Sequence, residues 1–123
     1  MRIAEVSEKY GISADTLRYY ERIGLLPRVH RNASGMRDYD ENDLGRVEFV
    51  KCMRGANVSI ESLIEYMQLF DEGESTYEAR RQILIEERER AQERLAEIQD
   101  GLDRLNKKIA WYEGLIGSSS RED

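Results

Sequence analysis

The sequence predicts a mainly α protein: an N-terminal winged helix-turn-helix, then a long C-terminal helix that forms a dimeric coiled coil. Three observations carry this reading. Two short stretches with helical apolar spacing, 3–10 and 14–23, are joined by a tight turn at Gly11. A turn-rich segment, 28–39, then breaks the helical pattern before it resumes at Asp40. Finally, residues 76–116 contain no proline and repeat apolar residues in heptads.

The elements follow in order. Ile3, Val6 and Tyr10 are spaced by three and four, and Gly11 stops this first helix. Ser13 is placed to cap a second helix over about 14–23, with Leu17, Tyr20 and Ile23 on one face. Gly24 ends it, and Pro27 prevents its resumption. Turn chemistry at His30-Arg31-Asn32-Ala33-Ser34-Gly35, between Val29 and Met36-Arg37-Asp38-Tyr39, predicts a small β-hairpin, or wing. Asp40 caps a helix through about 55, with Leu44, Val47, Phe49, Val50 and Met53 inside. Ser59 caps the next, which runs to about Phe70, before the polar break Asp71-Glu72-Gly73-Glu74-Ser75.

The long helix places Tyr77, Leu84, Ala91, Leu95, Ile98, Leu102, Leu105, Ile109, Tyr112 and Ile116 on one seam. From Ala91 onward the steps alternate four and three, which specifies a left-handed coiled coil. Arg81 and Arg88 fall on the same seam and weaken its start. About 41 residues of helix span roughly 60 Å, too long to be covered by a domain of about 75 residues, so a second chain must cover the seam. The expected organisation is a winged helix-turn-helix domain with hinge helices over 1–73, a dimerisation helix over 74–116, and a disordered tail over 117–123.

Composition narrows the function. Of 123 residues, 36% are charged and 40% hydrophobic, enough for a modest core. No apolar run approaches the roughly 20 residues that span a bilayer, and the N-terminus lacks a signal-peptide core, so a cytoplasmic location without membrane contact is expected. One cysteine and one histidine exclude an internal disulfide and a four-ligand Cys/His zinc site. Neither a metal nor another cofactor is expected. No Ser/His/Asp set or phosphate-binding glycine loop stands out, which disfavours an enzyme. The net charge is −6, yet residues 16–37 hold five arginines and one acid. Nucleic-acid contacts are made locally, so this basic stretch outweighs the acidic total.

Specific residues sharpen the picture. Ile3-Ala4-Glu5-Val6, Gly11-Ile12-Ser13 and Thr16-Leu17-Arg18-Tyr19-Tyr20-Glu21-Arg22-Ile23-Gly24-Leu25-Leu26-Pro27 resemble the MerR family of bacterial transcription regulators, and Tyr39-Asp40-Glu41-Asn42-Asp43-Leu44 continues the likeness. Where many members have Gly-Tyr-Arg, this chain has Gly35-Met36-Arg37, a change in the wing's packing that keeps its arginine.

The residues themselves suit double-stranded DNA. A helix fits the major groove and presents its N-terminal residues to base edges. With Leu17, Tyr20 and Ile23 toward the core, Thr16, Arg18, Tyr19 and Arg22 occupy the other faces. Arg18 can pair in bidentate fashion with guanine or phosphate, and the Thr16 and Tyr19 hydroxyls suit phosphate oxygens. Arg37 and Tyr39 are expected to project from or beside the wing toward the flanking backbone. The resemblance implies DNA contacts at these same positions and adds Tyr20, in competition with its core placement.

The resemblance also bears on the signal. Metal-sensing members carry cysteines around the dimerisation helix, whereas residues 71–123 here contain neither Cys nor His. A large C-terminal ligand domain, as in drug sensors, is not expected, and an iron–sulfur cluster lacks its cysteines. The lone Cys52 resembles the aldehyde- and electrophile-responsive branch. Thiolate is the reactive form and cations favour it, so Lys51 and Arg54 help while Glu48 opposes. An adduct would add volume beside Phe49 and Met53. The bland alternative makes Cys52 a small core hydrophobe.

Three functions compete at this point. One is a homodimeric regulator switched by electrophiles at Cys52. Another is the same dimer without thiol control, ligand-independent or governed by a protein partner. The last is a coiled-coil module that binds protein rather than DNA. For the first, the resemblance implies an antiparallel coiled coil and a palindromic promoter site. It also implies activation by bending and untwisting DNA between promoter elements, with RNA polymerase as a further partner.

Overall fold

The computed structural model describes residues 1–122, with side chains through 118. Its helices are α1 (Ile3–Tyr10), α2 (Ala14–Ile23), α3 (Glu41–Gly55), α4 (Ile60–Glu72) and α5 (Tyr77–Glu122), with a 3-10 turn at Glu74–Thr76. The chain divides into two units, one of residues 1–85 and one from Glu86 onward.

Local chemistry sets each boundary in the first unit. Ser13 Oγ accepts the Thr16 amide at 3.1 Å and opens α2. Asp40 and Asp43 exchange side-chain and backbone hydrogen bonds at 2.8 and 3.0 Å, a reciprocal cap on α3. Ser59 Oγ accepts from Ser62 N at 3.1 Å and opens α4. Gly24 adopts φ 91°, a left-handed turn that glycine enters without a Cβ clash. Behind it the Leu25 and Leu26 amides both donate to the Tyr20 carbonyl, at 2.9 and 3.2 Å, which turns both leucines inward.

Those two leucines enter different cores. Leu26 joins Val6, Leu17, Val29, Tyr39 and Val47. Leu25 joins Val50, Val58, Leu63 and Met67. Tyr20 is half-buried and packs against both clusters, so the core placement of Tyr20 is the one observed. Full burial of a side chain such as Leu17 contributes about 1.5–3 kcal/mol, and α2 is held on its inner face by this packing.

The wing is looser than a ladder of strands. Arg31 and Arg37 form one isolated antiparallel bridge, and no strand occurs among the described residues. Asn32 shapes the tip: its side-chain oxygen accepts from the Ser34 and Met36 amides at 2.9 and 3.1 Å. The paired arms are too short to extend the ladder beyond a single bridge.

The α4–α5 junction is tied by Thr76. Its buried hydroxyl lies 2.6 Å from the Leu69 carbonyl oxygen and 2.7 Å from that of Gly73. Arg80 donates to Thr76 Oγ1 at 3.0 Å and to Gly73 O at 3.1 Å. The first unit therefore takes in the opening turns of α5, beyond the break near residue 73.

The second unit is helical. Along it Leu95, Ile98, Leu102, Leu105, Ile109 and Tyr112 are 47–69% exposed in the single chain. The helix runs through Glu122, so Gly117 and Ser118 are helical rather than the start of a disordered tail. Of that expected tail, Asp123 and the side chains of 119–122 lie outside the described residues.

Candidate nucleic-acid interface

On α2, Asp15, Arg18, Tyr19 and Arg22 are spaced to share one face, opposite the buried Leu17. All four are exposed. Arg18 Nη1 donates to Asp15 Oδ1 at 2.9 Å. Exposed pairs of this kind contribute about 0.2–1 kcal/mol, so a phosphate or a guanine edge can replace Asp15 as the partner. The Arg22 guanidinium stands 5.3 Å from the Tyr19 ring centroid, a cation–π contact that holds both side chains on the surface. Thr16 is half-buried, and its hydroxyl accepts from Ser13 Oγ at 2.8 Å. It completes the α2 cap while lying at the end of the helix that DNA would meet.

The wing residues depart from expectation. Arg37 does not project freely. Its Nε donates to Glu21 Oε1 on α2 at 3.1 Å, and the two side chains are only 19% and 15% exposed. Tyr39 is corrected outright: it is 2% exposed and sits in the first core cluster rather than on the DNA-facing surface. The reason lies in the backbone. Tyr39 N donates to Met1 O at 2.7 Å, and the N-terminal ammonium donates to Tyr39 O at 2.9 Å, which tucks this residue under the wing. Its hydroxyl is buried without a hydrogen-bond partner among the described residues. Burial pushes the phenol above the usual tyrosine range and Glu21 adds to the effect, while Arg37 opposes it.

Two participants escaped sequence reasoning. Glu21, counted only as the acid in a basic stretch, anchors Arg37. The N-terminal ammonium binds Asp38 Oδ1 at 2.8 Å and holds that carboxyl below its usual range. No local signal marks contacts that join residues so far apart in sequence.

Cys52 is exposed on α3, so it is not a core hydrophobe of this chain. The added volume expected beside Phe49 and Met53 is therefore not packed into a core, because an adduct at an exposed thiol alters the outer surface of α3 instead. The Arg54 guanidinium donates to the Val58 carbonyl at 2.6 Å, leaving Lys51 as its flanking cation without such a tie. Among the described residues no cluster of His, Cys, Asp and Glu could hold a metal ion. No helix among them is long and apolar enough to cross a membrane.

An exposed helix face carrying Arg18 and Arg22, with a wing behind it, is a DNA-reading arrangement, and comparison with known proteins decides its kind. Residues 1–69 match the MerR HTH family of regulatory proteins. The chain belongs to the MerR family. The chain is 59% identical over 90 residues to the HTH-type transcriptional regulator AdhR of Bacillus subtilis. That alignment takes in 73% of this chain and 64% of AdhR, under two thirds of its length. A crystal structure of a MerR family transcriptional regulator from Listeria monocytogenes matches with TM-score 0.91 and 48% identity, over 99% of this chain and 92% of that one. HiNmlR, a MerR family regulator lacking the sensor domain, was crystallised bound to promoter DNA. It matches with TM-score 0.80 and 31% identity, over 91% of this chain and 89% of its own. This MerR-family chain is thus a DNA-binding transcription regulator with a winged helix-turn-helix and a long C-terminal helix.

Proposed function

We propose that this MerR regulator works as a homodimer joined along α5, binds a palindromic promoter site, and activates transcription when an aldehyde or another electrophile modifies Cys52. The observation that carries the switch is the exposure of the chain's single thiol on α3. Solvent access lets a small carbonyl compound reach the sulfur, and the adduct changes the size and polarity of that helix surface.

The dimer is supported by the uncovered heptad seam, Leu84 and Ala91 at its start and Leu95 to Tyr112 beyond, paired antiparallel as the family resemblance implies. Arg18, Tyr19 and Arg22 contact DNA from α2, with Thr16 beside them at its start. Arg37 reaches the flanking phosphates from the wing, and Tyr20 supports this surface from behind. Activation proceeds by bending and untwisting the promoter into a register that RNA polymerase can use. Such deformation costs on the order of a few kcal/mol, drawn from protein–DNA contacts.

The test is transcription in vitro from the native promoter, with formaldehyde or methylglyoxal added to the parent or to Cys52→Ser. The proposal expects the serine variant to bind the promoter normally and fail to activate. Equal activation by both removes thiol control, and a dimer switched by a protein partner, or not switched at all, takes its place.

A further inference from the structure

We infer that Glu21 is a positioning residue for DNA binding: it grips the inner edge of the Arg37 guanidinium so that the outer edge is held ready for backbone phosphate. The inference rests on the reading of Arg37 as a phosphate contact and adds a residue of opposite charge to that surface.

The geometry is built from three directions. The Arg37 backbone is fixed within the wing by its bridge to Arg31, with Asn32 N donating to Met36 O at 2.8 Å and Asp38 N to His30 O at 2.7 Å on either side. Its side chain is then fixed by α2, through the 3.1 Å hydrogen bond from Nε to Glu21 Oε1. Nη1 and Nη2 take no partner among the described residues. A guanidinium offers five donors in a rigid plane, so engaging Nε orients the two terminal amino groups without consuming them.

An acid on a DNA-binding surface is otherwise a liability, since it repels phosphate. Glu21 is 15% exposed, which limits that repulsion, and Tyr39 is packed close enough for its phenol to sense both Glu21 and Arg37. The pair also spans the recognition helix and the wing, 16 residues apart in sequence, so it fixes one reading element relative to the other. Free arginine side chains lose rotamer freedom when they bind, and an arginine already held loses less.

A double-variant cycle tests this, using the full chain and a duplex selected from a random pool by the parent protein. Arg37→Ala should weaken binding about tenfold and flatten the plot of log affinity against log salt by about 0.9, one phosphate's worth. Glu21→Ala should weaken binding about three- to tenfold and flatten the same slope. In the Arg37→Ala background it should change affinity by less than about twofold, because the two act as a unit. Glu21→Gln keeps the acceptor oxygen and should bind within about twofold of the parent.

Arg37→Lys leaves Glu21 untouched and keeps the charge, but its ammonium cannot bind acid and phosphate in a fixed fork. It should therefore fall to the level of Arg37→Ala, even if Glu21→Ala does not fold. Full binding by Arg37→Lys, or an undiminished loss from Glu21→Ala in the Arg37→Ala background, overturns the positioning role. Tighter binding by Glu21→Gln also overturns it, showing that Glu21 restrains Arg37 instead. Parent-level binding by Arg37→Ala strikes the underlying phosphate contact itself.

Discussion

Arg37 and Tyr39 lie two residues apart on the second arm of the wing and meet different environments. The arginine stays at the edge of the fold with its outer amino groups available, whereas the tyrosine is enclosed with an unpartnered hydroxyl. Leaving a buried hydroxyl unsatisfied costs about 1–3 kcal/mol, so Tyr39→Phe should hold or raise stability and leave DNA affinity at the parent level. The phenol is shifted upward, so above pH 10 the unfolded chain loses this proton while the native chain keeps it. Stability therefore falls as pH rises through that range, and denaturant titrations should show the fall reduced in Tyr39→Phe. At Arg18 the partner is an exposed Asp15, which DNA can displace. Arg18→Ala should cost about 1–3 kcal/mol if the side chain reads a base, with the loss confined to the cognate sequence. A loss spread evenly over all sequences, with a shallower salt dependence, assigns it to phosphate.

At the scale of elements, α3 depends on a cap formed by two aspartates. Asp40→Ala removes the acceptor for the Asp43 amide and should destabilise the chain by about 1 kcal/mol in urea unfolding. These boundaries were legible because the chemistry is local. Ser13, Asp40 and Ser59 each act on an amide three residues ahead, and Gly11 and Gly24 act where they stand. The inward faces of α2 and α3 were legible too, since Leu17, Val47 and Val50 follow the helical period into the cores. The wing was harder. Its turn residues are plain, but whether the arms pair once or several times depends on tertiary support, and a single bridge forms. The grip of Glu21 on Arg37 and the clamp of the N-terminus on Tyr39 join distant residues, which no periodicity encodes. The run Gly117-Ser118-Ser119-Ser120 reads as a tail by composition, yet the helix backbone continues through it.

At the scale of the whole molecule, the proposed function depends on an assembly larger than one chain. A half-site bound alone gives little affinity, whereas the proposed pair of heads joined through α5 would bind a palindrome together. In the proposed function the same assembly would give an adduct at Cys52 its leverage, since a modified α3 surface would shift the balance between two arrangements of the dimer on DNA. All of this requires the exposed seam of α5 to be covered by a second copy. The direct measurement is sedimentation of the parent and of a Leu95→Asp, Leu102→Asp variant, each followed by titration with the selected duplex. The account predicts a dimeric parent, a monomeric variant whose N-terminal unit stays folded by circular dichroism, and loss of specific binding with that monomer. A variant that remains dimeric and binds the duplex like the parent would contradict it.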